Sequence, residues 1–242
     1  SNMLSFNNKK SNANRIKLEE SIEGFKLVEK FGRFLSPNEV AQLCNHYKLP
    51  LVKAEILSIQ ELSKKEIHFP IVLKAVGEKI IHKTDLKGVA LNIKTKENLI
   101  KTAEEMIWNF SSKNIQLDSF LVQPFLQTKF ELLVGAFHDP SFGPMIMFGS
   151  GGKYVEYIDD TVMRSAFLTE NDIDDMIDST KIGKIIKGVR GEEPVDISAI
   201  KSVIRNLAQM IVNYSEITEI DLNPLLITSD NKMFAVDVRI KV

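Results

Sequence analysis

Apolar residues recur along this chain in two rhythms, and the breaks between them outline the elements. Ser36-Pro37-Asn38-Glu39 sets a hydroxyl cap, a proline at the first helical position and an acid three residues after the cap, a pattern that starts helices. Val40, Leu43, Cys44 and Tyr47 follow at helical spacing, and Leu49-Pro50 ends the element. An earlier helical pattern runs over 18–30 and is broken by Phe31-Gly32-Arg33. The run 69–75 is apolar on both faces apart from Lys74 and opens near Pro70, which predicts a buried strand. A polar loop over 78–87 separates it from a second strand over 88–93, and a helix is predicted over 96–111. Strands over 119–123 and 130–137 come next, then a turn at Asp139-Pro140 and a strand over 144–148 leading into Gly149-Ser150-Gly151-Gly152. Two further strands, 154–158 and 162–168, precede a second capping pattern at Thr169 to Asp172, which opens a helix to about Ser179. A helix over 197–214 and three short strands, 217–221, 224–228 and 233–238, close the chain.

This mixed order, hairpins beside β-α-β passages, predicts an α+β fold of two lobes with antiparallel sheets rather than a doubly wound parallel sheet. The lobes are expected over about 35–125 and 126–242, with 1–34 outside them. Ser1-Asn2-Met3 reads as a tag remnant before a natural methionine, and the polar stretch to about Arg15 as neither a signal peptide nor a core element. At 242 residues, 44% apolar, the chain can fill one substantial core or two smaller ones. Its formal charge of -1 argues against a surface built for bulk nucleic-acid or membrane binding. The single cysteine, Cys44, leaves no internal disulfide, fits a reducing compartment and reads as a small buried hydrophobe. No apolar run approaches the roughly 18 residues of a membrane span, so a cytoplasmic protein is expected.

Three groups of residues could carry chemistry. Asn223 and Asp237 stand fourteen residues apart across a predicted strand-turn-strand, which would set them side by side on a sheet face. An amide oxygen and a carboxylate are hard ligands suited to Mg²⁺; an Asn-Pro turn and a salt-bridged strand acid are the plain alternatives. Lys74, flanked by Leu73 and Ala75, invites a phosphate or a carboxylate as counter-charge. In the loop after it, His82-Lys83-Thr84-Asp85 offers an imidazole able to carry or protonate a phosphoryl group, though a loop histidine alone is usually solvated. The glycines at 149, 151 and 152 could turn backbone N–H groups toward an anion or simply form a tight turn. No Gly-Lys-Ser/Thr follows them, so the Walker pattern fails. Arg164 and Arg190 offer guanidinium groups for phosphate or carboxylate, or ordinary surface charge.

Taken in order, these stretches resemble one family. Val72-Leu73-Lys74 with His82-Lys83-Thr84-Asp85, Val122-Gln123 with Glu131, Asp139-Pro140 through Gly151-Gly152 and Glu156, Gly188-x-Arg190-Gly191-Glu192, and the closing Asp221-Leu222-Asn223-Pro224 with Val236-Asp237 resemble the ATP-grasp β subunit of ADP-forming acetyl-CoA synthetases, within the succinyl-CoA synthetase superfamily. The likeness runs from about Leu35 to Val242. It implies an ATP-grasp fold and an acid–CoA ligase that moves phosphate between a phosphohistidine and ADP or ATP. The reaction interconverts acyl-CoA, phosphate and ADP with free acid, CoA and ATP. By this resemblance Lys74 contacts the nucleotide phosphates, the backbone of Gln123, Pro124 and Phe125 grips the adenine, and Glu131 reaches the ribose. Gly149, Gly151, Gly152, Lys83, Arg164 and Arg190 join the nucleotide site, and Asn223 and Asp237 hold Mg²⁺. His82 carries phosphate to the nucleotide, with Asp221 holding its ring. The principal histidine and the CoA site would lie in a partner α subunit, in an α2β2 hetero-oligomer, so the chain alone should not turn over. Ser150 stands where the family usually has an apolar residue and is expected to be harmless. The residues before Leu35 have no counterpart in the likeness. Other readings are a module of a fused synthetase or acetyltransferase with a regulatory role, an ATP-grasp carboxylate–amine ligase, and a nucleotide-binding protein without turnover.

Overall fold

The computed structural model describes residues 32–77, 80, 86–152, 159–189 and 191–242. The helix expected over 18–30 and the strand expected over 154–158 lie outside these residues, as do His82, Lys83 and Arg190. The chain divides into two compact units, one of residues up to 51 and from 128 onward, the other of residues 52–127.

The larger unit opens with α1, Pro37–His46. Ser36 caps it as its sequence predicts: its Oγ accepts from the Glu39 N–H, while Glu39 Oε2 accepts from the Ser36 N–H at 2.7 Å. Arg33 grips the same carboxylate with two N–H groups, at 3.0 and 2.7 Å. The sheet of this unit is antiparallel and runs in the order β10 (Val238–Lys241), β8 (Glu219–Thr228), β5 (Thr128–Asp139), β6 (Gly143–Ser150), β7 (Thr161–Ser165), with β9 (Met233–Ala235) also on β8. Ile240, Ile220, Ala136 and Ile146 form one row across it, buried to the last atom or nearly so. Helices α4 (Glu170–Ser179), α5 (Lys181–Ile186) and α6 (Ile197–Asn213) share one core cluster with that row. The apolar stripe of α6, from Ile200 through Leu207 to Ile211, is its largest helical contribution.

Two expectations are corrected here. Residues 35–51 were assigned to the first lobe, but they pack with the later one. Val40, Leu43, Cys44 and Tyr47 belong to the same core as the β5–β8 strands, and Leu35 donates its N–H to Ile240 O at 2.8 Å. The closing strands also differ: 217–221 and 224–228 are not separate, because β8 continues through Pro224. Its pairing with β5 shifts register between Leu132 and Val134, so that Leu222 and Leu225, three positions apart, are both fully buried. The run 233–238 is instead cut into β9 and β10. Leu225 faces Ala235 on one side of the gap and Leu222 faces Val238 on the other, an unchanged register. Pro224 falls within the gap, where it has no N–H to offer a ladder.

The smaller unit is a four-stranded antiparallel sheet in the order β1 (Glu55–Leu57), β4 (Ser119–Pro124), β2 (Ile71–Val76), β3 (Val89–Ile93). Helices α2 (Ile59–Lys64) and α3 (Lys96–Ser111) bury Leu62, Leu99, Ala103, Met106 and Phe110 with the strand residues Leu57, Ile71, Leu73, Ala75 and Phe120. The α+β architecture with antiparallel sheets agrees with the sequence reading. Among the described residues, no helix is long and apolar enough to cross a membrane.

Candidate functional site

Asn223 and Asp237 occupy the gap between β9 and β10, and the unchanged register across it sets them opposite each other. The hairpin argument from their spacing therefore describes the local geometry. Asn223 alternates with the buried Leu222, so it points away from the helix-covered core. Its Oδ1 accepts the Gly152 N–H at 3.0 Å, which joins the glycine loop to the strand pair. No described residue donates a hydrogen bond to the half-buried Asp237 carboxylate.

Two residues along β8, Asp221 shares the Asn223 face and stands opposite Arg239 of β10, whose Nη2 donates to its Oδ2 at 3.1 Å. Burial pushes the Asp221 carboxyl above the ordinary range. The Arg239 charge and hydrogen bond pull it back, while Asp237 and Glu219 push it up again, and the net direction is upward. Asp221, Asp237 and Glu219 thus share this strand pair with Arg239 and with Lys241, which stands opposite Glu219, leaving one negative charge in excess that a cation would relieve. The donors available, an amide oxygen and carboxylates, fit Mg²⁺. No cluster of three or more His, Cys, Asp or Glu suited to a metal occurs among the described residues. An ion taking two protein oxygens would be completed by phosphate and water, the habit of Mg²⁺ at nucleotide sites.

The glycine loop ends β6. The Gly151 N–H donates to Glu131 O at 2.8 Å, and a Cβ on Gly151 would sit 2.4 Å from the Leu132 carbonyl carbon and oxygen. Gly152 has φ +89°, and a Cβ there would lie 2.1 Å from Glu131 Oε2. Only glycine allows this approach, which brings the Glu131 carboxylate to the loop. Ser150 is not a neutral replacement: its Oγ donates to Asp160 Oδ2 at 2.6 Å. Asp160 is 6% exposed and also accepts the N–H groups of Lys181, at 2.6 Å, and Ile182, at 2.9 Å. Burial on its own would raise the Asp160 carboxyl. The hydrogen bonds from Ser150, Lys181 and Ile182, with the Lys181 charge, outweigh that and hold it below its ordinary value.

In the smaller unit, Lys74 is 6% exposed and lies in a cross-strand row with Ile56, Leu121 and Val89, on the face turned away from α3. Gln123, also buried, pairs with Val72 and so shares that face. Pro124 ends β4 opposite Ile71, and Phe125 donates its N–H to Pro70 O at 3.0 Å. Arg164 is not brought to the Asp221 face. It pairs with the buried Ile146 on the helix-covered side of β7, and its Nη1 donates to the Met163 carbonyl at 2.8 Å. Gly149 pairs with Leu133 and Thr161 within the sheet. Arg239 and Asp160 were not singled out by sequence. The register that places Asn223 against Asp237 also places Asp221 against Arg239, so the first was within reach; Asp160 carries no local signal.

Comparison with known proteins adds a lineage to this geometry. Residues 26–242 match a family described as the ATP-grasp domain. The β subunit of ADP-forming acetate–CoA ligase I from Pyrococcus furiosus is 35% identical over 208 residues, covering 83% of this chain and 88% of that one. The ADP-forming 4-hydroxybutyrate–CoA ligase of Nitrosopumilus maritimus is 34% identical over 212 residues, 85% of this chain, and the chain spans 30% of that relative's length. The dinucleotide-forming acetyl-coenzyme A synthetase 1 of Ca. Korarchaeum cryptofilum, solved with coenzyme A and Ca-AMPCP, superposes with a TM-score of 0.79 at 36% identity, covering 87% of this chain and 93% of that one. The same enzyme has been solved with coenzyme A and Mg-AMPPCP, its phosphohistidine segment pointing towards the nucleotide binding site, and superposes with a TM-score of 0.73.

Proposed function

We propose, on the premise that this chain belongs to the ATP-grasp family and to its branch of ADP-forming acetate–CoA ligase β subunits, that it binds Mg-ADP and Mg-ATP and passes phosphate between them and a phosphohistidine. The whole reaction would interconvert acyl-CoA, phosphate and ADP with free acid, CoA and ATP. A CoA-binding α subunit would complete it, in an α2β2 assembly in the cytoplasm. The observation that carries this reading is the Gly152 N–H donated to Asn223 Oδ1, with Asp237 opposite. That bond turns the Asn223 oxygen toward the glycine loop and joins the two. The Ser150, Gly151 and Gly152 N–H groups are donated to Asp160 O, Glu131 O and Asn223 Oδ1, so the loop supports the cation-binding oxygens in place of binding an anion through these amides.

Phosphoryl transfer demands positioning and charge neutralisation more than covalent chemistry from the protein. Asn223 and Asp237 would hold Mg²⁺, whose charge offsets that of the polyphosphate. By the family likeness Lys74 would supply a second positive charge to the phosphates, and the Gly151–Gly152 segment allows close backbone approach. Gln123, Pro124 and Phe125 would take the adenine through their backbone, and Glu131 the ribose. Asp221, already held by Arg239, would orient the His82 ring for phosphate transfer. Lys83 and Arg190 would assist at the phosphates; Arg164, on the other side of its strand, drops out of this set. The Korarchaeum enzyme, solved with Mg-AMPPCP and with its phosphohistidine segment pointing towards the nucleotide binding site, supports the passage of phosphate between a histidine and the nucleotide.

The deciding experiment mixes this chain with the CoA-binding subunit from its source and follows ATP formation from acetyl-CoA, phosphate and ADP. ATP should appear only when both polypeptides and Mg²⁺ are present. No ATP from the mixture, with Mg-ADP bound normally by the chain, would leave a nucleotide-binding module and remove the ligase reading.

A further inference from the structure

We infer that Asp160 is the positioning residue of the glycine loop, holding Gly151 and Gly152 in place from the side of the sheet opposite the nucleotide; the inference rests on the nucleotide-binding reading above. Ser150 pairs with Leu132, a core residue, so its side chain leaves the sheet on the helix-covered face. There the Asp160 carboxylate accepts Ser150 Oγ at 2.6 Å, and the two residues are joined again through Ser150 N–H to Asp160 O at 3.0 Å. The same carboxylate takes the first two N–H groups of α5, while Thr180 Oγ1 accepts the third, from Gly183 at 3.0 Å. One buried acid therefore fixes the end of β6 to the start of a helix that is itself packed in the core.

The linkage continues outward along the chain. Beyond Ser150, the Gly151 N–H is held by Glu131 O and the Gly152 N–H by Asn223 Oδ1. The loop is thus clamped behind by Asp160 and in front by the residue assigned to Mg²⁺. A shift of Ser150 would be passed to Asn223 through Gly151 and Gly152, because both lie hard against Leu132 and Glu131 and have little room to take it up. Asp160 cannot touch a ligand on the far face, so its effect must be felt through the loop.

The test is Mg-ADP titration by calorimetry on the chain and three variants, with thermal unfolding to confirm that each is folded. Ser150→Ala removes one hydrogen bond and leaves the α5 contacts intact. It should weaken Mg-ADP by about two- to ten-fold, the worth of a single internal hydrogen bond. Ser150→Thr keeps the hydroxyl and should bind like the unaltered chain. Asp160→Asn should weaken binding further if it folds, but the inference stands or falls on the Ser150 pair. A lower unfolding temperature for Ser150→Ala with unchanged Mg-ADP affinity would overturn it, and so would equal weakening by alanine and threonine. Failure of the unaltered chain to bind Mg-ADP would overturn the nucleotide reading as well, so the two failures are told apart.

Discussion

Replacing Asp237 by alanine removes a half-buried carboxylate that no described residue hydrogen-bonds, so the fold should tolerate it. Its loss should show in metal dependence instead. We expect Mg-ADP affinity to fall by at least the ~10-fold that loss of a supporting residue costs at metal sites, and ADP titrations with and without Mg²⁺ to converge. Titrations that still differ as in the unaltered chain would remove Asp237 as a ligand. His82→Ala should act the other way, leaving Mg-ADP affinity within a few-fold while abolishing turnover with the α subunit; undiminished turnover would remove the phosphate relay. At this scale the sequence was informative where partners are close along a hairpin. Asn223, Asp237, Asp221 and Arg239 all obey one register, and a spacing of fourteen residues was enough to suggest it. Asp160 was invisible because its partners, Ser150, Lys181 and Ile182, come from two different stretches of chain, and nothing near Asp160 marks it as buried.

Helix starts were the elements most legible in advance. The capping boxes at Ser36 and Thr169 hold α1 and α4, and each was read from a hydroxyl followed three residues later by an acid. The same signature, Ser58 with Glu61, opens α2 and went unread because the helix is only six residues long. What local pattern could not reveal was continuity: β8 runs through Pro224 because its partner β5 shifts register beside it, a tertiary matter. The α1 cap also gives a pH prediction. The Arg33 hydrogen bonds, opposed by burial and reinforced by Ser36, bring the Glu39 carboxyl down from 4.5 to about 2. A carboxyl depressed in the folded state stabilises it fully above its unfolded value and loses that contribution as pH falls through the folded one. The gap in urea midpoint between the unaltered chain and Glu39→Gln should therefore be constant above about pH 5 and shrink between pH 4.5 and 2. A gap as wide at pH 3 as at pH 6 would show that the Arg33 pair does not act in solution.

Across the whole molecule, the chain builds two separate hydrophobic clusters, one around Phe148 and α6, the other around Phe110 and α3. Both phenylalanines are fully buried, and truncating either to alanine should cost about 3–5 kcal/mol. Hydrogen exchange should localise the damage. Phe110→Ala should lose protection mainly over 52–127, and Phe148→Ala mainly over 128–242. An even loss across the chain in both variants would show one cooperative core in place of two. That division was foreseeable as two lobes, yet residues 35–51 were credited to the wrong one, since the stripe on α1 shows that it must be buried and not where. Leu51 bridges to Ala235 and Thr128 pairs with Thr228, so the two points where the chain leaves the larger unit and rejoins it lie along the same hairpin. Ala235 faces Leu225, only three strand positions, about 10 Å, from Thr228. Residues 52–127 therefore behave topologically as a cassette: a short flexible splice could replace them and leave every strand of the larger sheet with its neighbour, making the smaller unit a natural part to exchange between relatives.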